Sequence, residues 1–174
     1  VVRAAMTGHL VLSTLHTNDA VQAVARLRNL GVEPYLVAGV LRGAYAQRLV
    51  RRLCPACARR VVARPARRAL AAALGVELDE TAEATGCPLC RGSGYSGRFA
   101  VFERFELDPD LEDLVASSAR TQALRDELSA RGMVSLRKAA LDRVASFETS
   151  RSRRSRTSKS RSSSSILPAS TLVK

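Results

Sequence analysis

Tryptophan is absent from this 174-residue chain, and Phe, Tyr and Trp together make up 4% of it. A core must therefore be built from Leu, Val and Ala, which suits helices and buried strands. Long apolar runs are also missing. Leu36 to Leu41 is broken by Arg42, and Ala69 to Val76 is short, so nothing approaches the roughly 18 residues of a membrane span. No secretory leader pattern follows Val1. The chain is therefore expected to be intracellular, where thiols stay reduced. There is no G-x-x-x-x-G-K-[ST] segment anywhere, so the loop that cradles nucleotide phosphates with backbone amides and a lysine is lacking. The opening, Val1 to Thr7, reads as the end of a helix stopped by Gly8, and the expectation is that residues upstream are missing.

What the chain does have is positive charge. The net charge is +12, but seven basic residues lie from Arg151 onward with no acid, which leaves +5 for the remainder. The folded part is only moderately basic, weak support for a nucleic-acid partner. The Arg/Ser run from Ser150 to Ser165 cannot bury a core, so 150–174 is expected to be a disordered tail.

The coarse pattern is mixed α/β. His9 to Leu15 (HLVLSTL) reads as a buried strand, followed by a polar loop and an amphipathic helix on Ala20, Ala23, Val24, Leu27 and Leu30 that Gly31 ends. A second helix starts near Pro34 and runs through the Leu41 region. Arg48 to Leu53 fits a helix or a strand equally. Arg67 to Leu74 reads as helical, Arg98 to Leu107 as a strand. Asp108-Pro109 is a helix start with Asp110 and Glu112 in its first turn. Helices around Leu124–Leu128 and from Ser135 through Val144 make a terminal cluster. The expected divisions are 1–53 for the α/β part, 54–98 for a cysteine module, 99–149 for a strand with terminal helices, and 150–174 for the tail.

All four cysteines fall in two C-P-x-C pairs, Cys54 with Cys57 and Cys87 with Cys90. A two-residue spacer lets both sulfurs of a pair face one point from a tight turn, and two such knuckles complete a tetrahedral zinc site. Two disulfides are the alternative, disfavoured in a reducing compartment, and free buried thiols are the third reading. With four sulfur ligands no position stays open for water, so such a zinc is structural. Gly92, Gly94 and Gly97 match G-x-G-x-x-G, but a knuckle precedes them and a strand follows, the reverse of a dinucleotide fingerprint. They are read as turning the chain away from the metal.

The other informative stretch is Thr7 to Asn18, T-G-H-L-V-L-S-T-L-H-T-N. In open α/β sheets ligands bind beyond the carboxyl ends of strands. His16, with Thr14 and Thr17, falls at that end and is the better candidate for touching a phosphate or a water. His9 falls at the other end and fits a structural histidine equally well.

These segments, together with A-R-L-x-x-L-G-V-E-P at 25–34, A-Q-R-L-V-R-R-L-C-P-x-C at 46–57 and G-C-P-L-C-x-G-x-G-Y-x-G-R at 86–98, resemble the carboxyl-terminal half of the type II secretion and type IV pilus assembly ATPases over residues 1 to 149. The resemblance implies the carboxyl-terminal part of a RecA-like P-loop ATPase core, a hexameric ring and hydrolysis of ATP with Mg2+. It also implies work at the cytoplasmic face of the inner membrane through secretion or pilus platform proteins. His9 and His16 would be histidine-box residues near the nucleotide, with Thr14 and Thr17 beside them as nucleotide-binding candidates. Cys54, Cys57, Cys87 and Cys90 would be the zinc ligands of the tetracysteine subtype. The family's phosphate loop and acidic boxes would lie before Val1, so this chain alone is expected to be inactive. After Thr149 the Arg/Ser run departs from the family. A zinc ribbon using a basic tail on nucleic acid is the alternative from another class.

Overall fold

A computed structural model describes residues 2–150 and the strand 169–173. The chain divides into two compact units. The first joins Val1–Gln47, Phe102–Leu136 and Leu167–Lys174, the second Arg48–Val101 and Arg137–Ile166.

In the first unit a short helix α1 (Val2–Met6) leads to strand β1 (Val11–Leu15), then to helices α2 (Gln22–Asn29) and α3 (Pro34–Val40). Strand β2 (Leu41–Leu53) begins here. After the second unit the chain returns along β5 (Tyr95–Glu106) into α5 (Pro109–Ala116) and α6 (Thr121–Ala130). The apolar stripe of α2, Ala23, Val24 and Leu27, faces a core shared with Val37, Leu41, Ala44, Phe105, Leu111, Val115, Leu124 and Leu128. Asp108 caps α5 by accepting the Leu111 N–H at 3.0 Å, with Pro109 opening the first turn, as its sequence predicts. Arg131 answers Asp108, Asp110 and Glu127 at the far end of α6.

The four-stranded sheet has the order β1-β6-β2-β5, where β6 is Ala169–Val173. β6 runs antiparallel to both β1, pairing Val11 with Val173, and β2, pairing Ala44 with Thr171. Gly43 follows a shift of register in β2, and a Cβ there would come within 2.7 Å of the Phe105 carbonyl. Glycine lets the two strands approach.

In the second unit β3 (Ala58–Val62) and β4 (Glu80–Ala84) pair antiparallel across helix α4 (Pro65–Ala72). Ala63, Ala71, Val76 and Leu78 form a small core, against which Leu141, Val144 and Ala145 of α7 (Leu136–Ala145) pack. Arginine stacks on aromatic rings here: Arg51 lies 3.8 Å from the Tyr95 ring centroid and Arg60 4.3 Å from that of Phe147.

Several expectations change. The second helix stops at Val40, and Leu41–Leu53 is one long strand, which decides the Arg48–Leu53 ambiguity. The β1 segment is not buried on both faces: Leu10, just before the strand, and Leu12 within it are 71% and 69% exposed. β3 and β4 carry too few apolar residues to stand out in sequence. Within the expected disordered tail Ala169–Val173 is a strand, while residues 151–168 and Lys174 lie outside the described residues.

Candidate metal centre and histidine segment

Each cysteine pair sits in a closed turn. The Cys54 carbonyl accepts the Ala58 N–H at 2.9 Å, and the Cys87 carbonyl accepts the Gly92 N–H at 2.9 Å. Cys54 N–H also donates to the Gly94 carbonyl at 3.0 Å, which ties one knuckle to the other. Past the second pair the backbone turns left-handed at Arg91, Gly92, Gly94 and Gly97, so the glycines do turn the chain at the knuckle. At Gly94 (φ +72°) a Cβ would lie 2.5 Å from that of Ala84, so only glycine fits.

These turns bring all four sulfurs within 4.8 Å of one another. The separations are 3.9 Å for Cys54–Cys87, 3.8 Å for Cys57–Cys90 and 3.7 Å for Cys87–Cys90. Thiolates about 2.3 Å from a tetrahedral ion stand about 3.8 Å apart, so the cluster has the dimensions of a four-sulfur metal site. A disulfide needs about 2.05 Å, and all four cysteines are free.

The electrostatics agree. Burial pushes the Cys57 thiol up to about 11 against the Gly86 N–H, and the three neighbouring thiols add to the rise. Burial would raise Cys90 too, but N–H groups of Cys87 (3.2 Å) and Gly94 (3.1 Å) outweigh it and hold this thiol at about 6. The Cys90 sulfur is thus an anion at neutral pH, the form in which a thiol binds a metal ion.

The histidine segment lies in the first unit. His16 directly follows β1 and is exposed, and Thr14 shares its exposed phase of the alternation. Thr17 is half-buried at the start of the loop into α2. His9 precedes β1 at the opposite end, exposed, with Nδ1 3.0 Å from the Thr7 hydroxyl. The two histidines are therefore not brought into one cluster. The loop after His16 is fastened at two points. Asp19 accepts the Gln22 N–H at 2.9 Å and pairs with Arg125 at 3.0 Å. The Ala20 N–H donates to Glu103 at 2.9 Å.

Glu103 was not a sequence candidate. The signal for it in the sequence is V-F-E-R-F, where the alternation of β5 puts an acid inward between Val101 and Phe105.

The match with known proteins runs through both features. Residues 1–157 match the family described as "Type II/IV secretion system protein". The chain belongs to this family. Among curated relatives of the type II/IV secretion family, it is 45% identical over 148 residues to type II secretion system protein HxcR of Pseudomonas aeruginosa, covering 85% of this chain and 28% of that protein. It is 45% identical over 143 residues to type II secretion system ATPase E of Vibrio cholerae, covering 82% and 28%. It is 44% identical over 151 residues to the type IV pilus assembly ATPase PilB of Myxococcus xanthus, covering 82% and 26%. The chain thus spans little more than a quarter of each relative. No helix among the described residues is long and apolar enough to cross a membrane.

Proposed function

We propose that this chain is the carboxyl-terminal part of a hexameric motor ATPase of type II secretion or type IV pilus assembly. The observation that carries the reading is the family match across both the histidine segment and the four cysteines. Relatives from both systems are named as ATPases: the type II secretion system ATPase E and the type IV pilus assembly ATPase PilB. In this reading His16, with Thr14 and Thr17, faces the nucleotide phosphates of a RecA-like core, and His9 supports the other end of the same strand. ATP and Mg2+ are held mainly by a phosphate loop and acidic groups that are not in this sequence. The four cysteines hold a structural zinc. The assembled motor works in the cytoplasm against inner-membrane platform proteins.

The missing groups are those that position and stabilise charge in phosphoryl transfer, and losing such groups costs orders of magnitude in rate. Purified chain is expected to show no magnesium-dependent ATP hydrolysis. Joined to the amino-terminal remainder of the Vibrio cholerae ATPase, it is expected to hydrolyse ATP, and His16→Ala in that chimaera to lower the rate at least tenfold. Hydrolysis by the chain alone, or a chimaera indifferent to His16→Ala, would overturn the reading.

A further inference from the structure

Glu103 is 2% exposed on the inward face of β5. Its two carboxylate oxygens serve different backbone donors: Oε1 accepts the Ala20 N–H at 2.9 Å and Oε2 accepts the Leu136 N–H at 2.9 Å. Ala20 closes the loop that begins at His16, two residues before α2. Leu136 is the first residue of α7, and its N–H is one of the amides that a helix cannot satisfy itself. Ala20 is completely buried, so its N–H has no access to water.

A carboxylate is unusual at an apolar phase of a strand, where valine or isoleucine would pack better. What it supplies is a double acceptor. Hydroxyl and amide side chains of similar reach cannot offer two acceptor oxygens to two separate N–H groups. The loop is held at a second point by the Asp19–Arg125 pair, so Glu103 and Arg125 fasten neighbouring residues of it.

We propose that Glu103 is a positioning residue that sets the place of His16 by holding the Ala20 amide at the end of the loop. This rests on the reading of His16 as the nucleotide-facing residue. It acts through backbone geometry, four residues from the imidazole, and touches no ligand itself.

The test needs no nucleotide, so it stands apart from any failure of the ATPase reading. In the unmodified 174-residue chain, NMR should detect a scalar coupling across the hydrogen bond from the Ala20 amide to the Glu103 carboxyl carbon. Glu103→Gln keeps one acceptor oxygen, and Glu103→Ala keeps none. Amide exchange at Ala20 and Leu136 should accelerate about tenfold to a hundredfold in the Ala variant, and at one of the two amides in the Gln variant. The His16 imidazole resonances should move in the same graded order, while Leu124 and Val24 in the core keep their protection. Motionless His16 resonances in both variants, or no coupling in the unmodified chain, would overturn the proposal. Should the Ala variant fail to fold, the Gln variant and the unmodified chain decide alone.

Discussion

Removing the metal is expected to undo the second unit while the first stays folded. The core of the second unit is small. Its apolar cluster has four buried side chains, two of them alanines, and Val76 and Leu78 together with Leu53 and Val101, buried elsewhere in the unit, contribute about 6–12 kcal/mol of apolar burial as an upper bound. A structural zinc in a four-sulfur site supplies about 10–16 kcal/mol of apparent binding energy at neutral pH. With zinc in the site the metal contribution is the larger, so the module from Cys54 to Cys90 is expected to depend on it. If only about 4 kcal/mol of that energy appears as local stability, the slowest amides of the unit should exchange about 10³-fold faster after chelation. The first unit, by contrast, has a core of its own running from α1 to α6. Hydrogen exchange before and after chelator, with metal content measured in parallel, gives the comparison. Amides of Arg59–Val62 and Thr81–Ala84 should lose protection, and Val24, Leu27 and Leu111 should keep it. Cys90→Ala should mimic chelation, because Cys90 lies against two other sulfurs and accepts two backbone N–H groups. Unchanged protection in β3 and β4 after complete metal removal would refute the reasoning.

Gly94→Ala should destabilise the second unit by about 2 kcal/mol or more and lower metal affinity, because its φ is +72° and the new Cβ meets Ala84; metal titration against a colorimetric chelator checks this. Asp108→Ala should cost about 1 kcal/mol through loss of the α5 cap and of an Arg131 partner, read as a fall of a few degrees in the melting midpoint. The Arg143 guanidinium beside Glu148, 2.7 Å away, holds that carboxyl below its ordinary value of 4.5 against the opposing effect of burial. A lowered folded-state value means stability that is present above about pH 4.5 and lost as pH falls through the folded value. Glu148→Gln should therefore cost up to about 1 kcal/mol at neutral pH and nothing in acid, seen in denaturant midpoints at the two pH values.

Much of this molecule is readable from residue order. Asp108-Pro109, Pro34 and Pro65 open helices because proline pre-sets the first turn, and such signals are local. The paired C-P-x-C spacing foretold the convergence of four sulfurs because each knuckle is also local. Strand partners are not. β3 (ARRVV) and β4 (ETAEA) are held by each other across 17 intervening residues, and neither has an apolar pattern that announces it. Leu41–Leu53 continues a helical-looking run, and only pairing with β6 and β5 makes it a strand. Glu103 escaped notice for the same reason: its partners are 83 and 33 residues away, and nothing nearby marks an inward acid as a double acceptor. The sequence puts His9 and His16 at the two ends of the β1 strand, but exposure of Leu10 and Leu12 depends on which elements cover the sheet, and that is not a local property.

The stack of Arg51 on Tyr95 has a practical side. Tyr95 is the sole tyrosine of the second unit, and Tyr35 and Tyr45 belong to the first. With no indole to mask them, near-ultraviolet signals from this protein come from phenols and the weak bands of phenylalanine. A guanidinium 3.8 Å above the ring shifts the phenol's spectrum while the stack holds and releases it when the stack opens. Replacing Tyr35 and Tyr45 by phenylalanine would leave one chromophore, seated beside the knuckles, and metal loading could then be followed in a cuvette without any label.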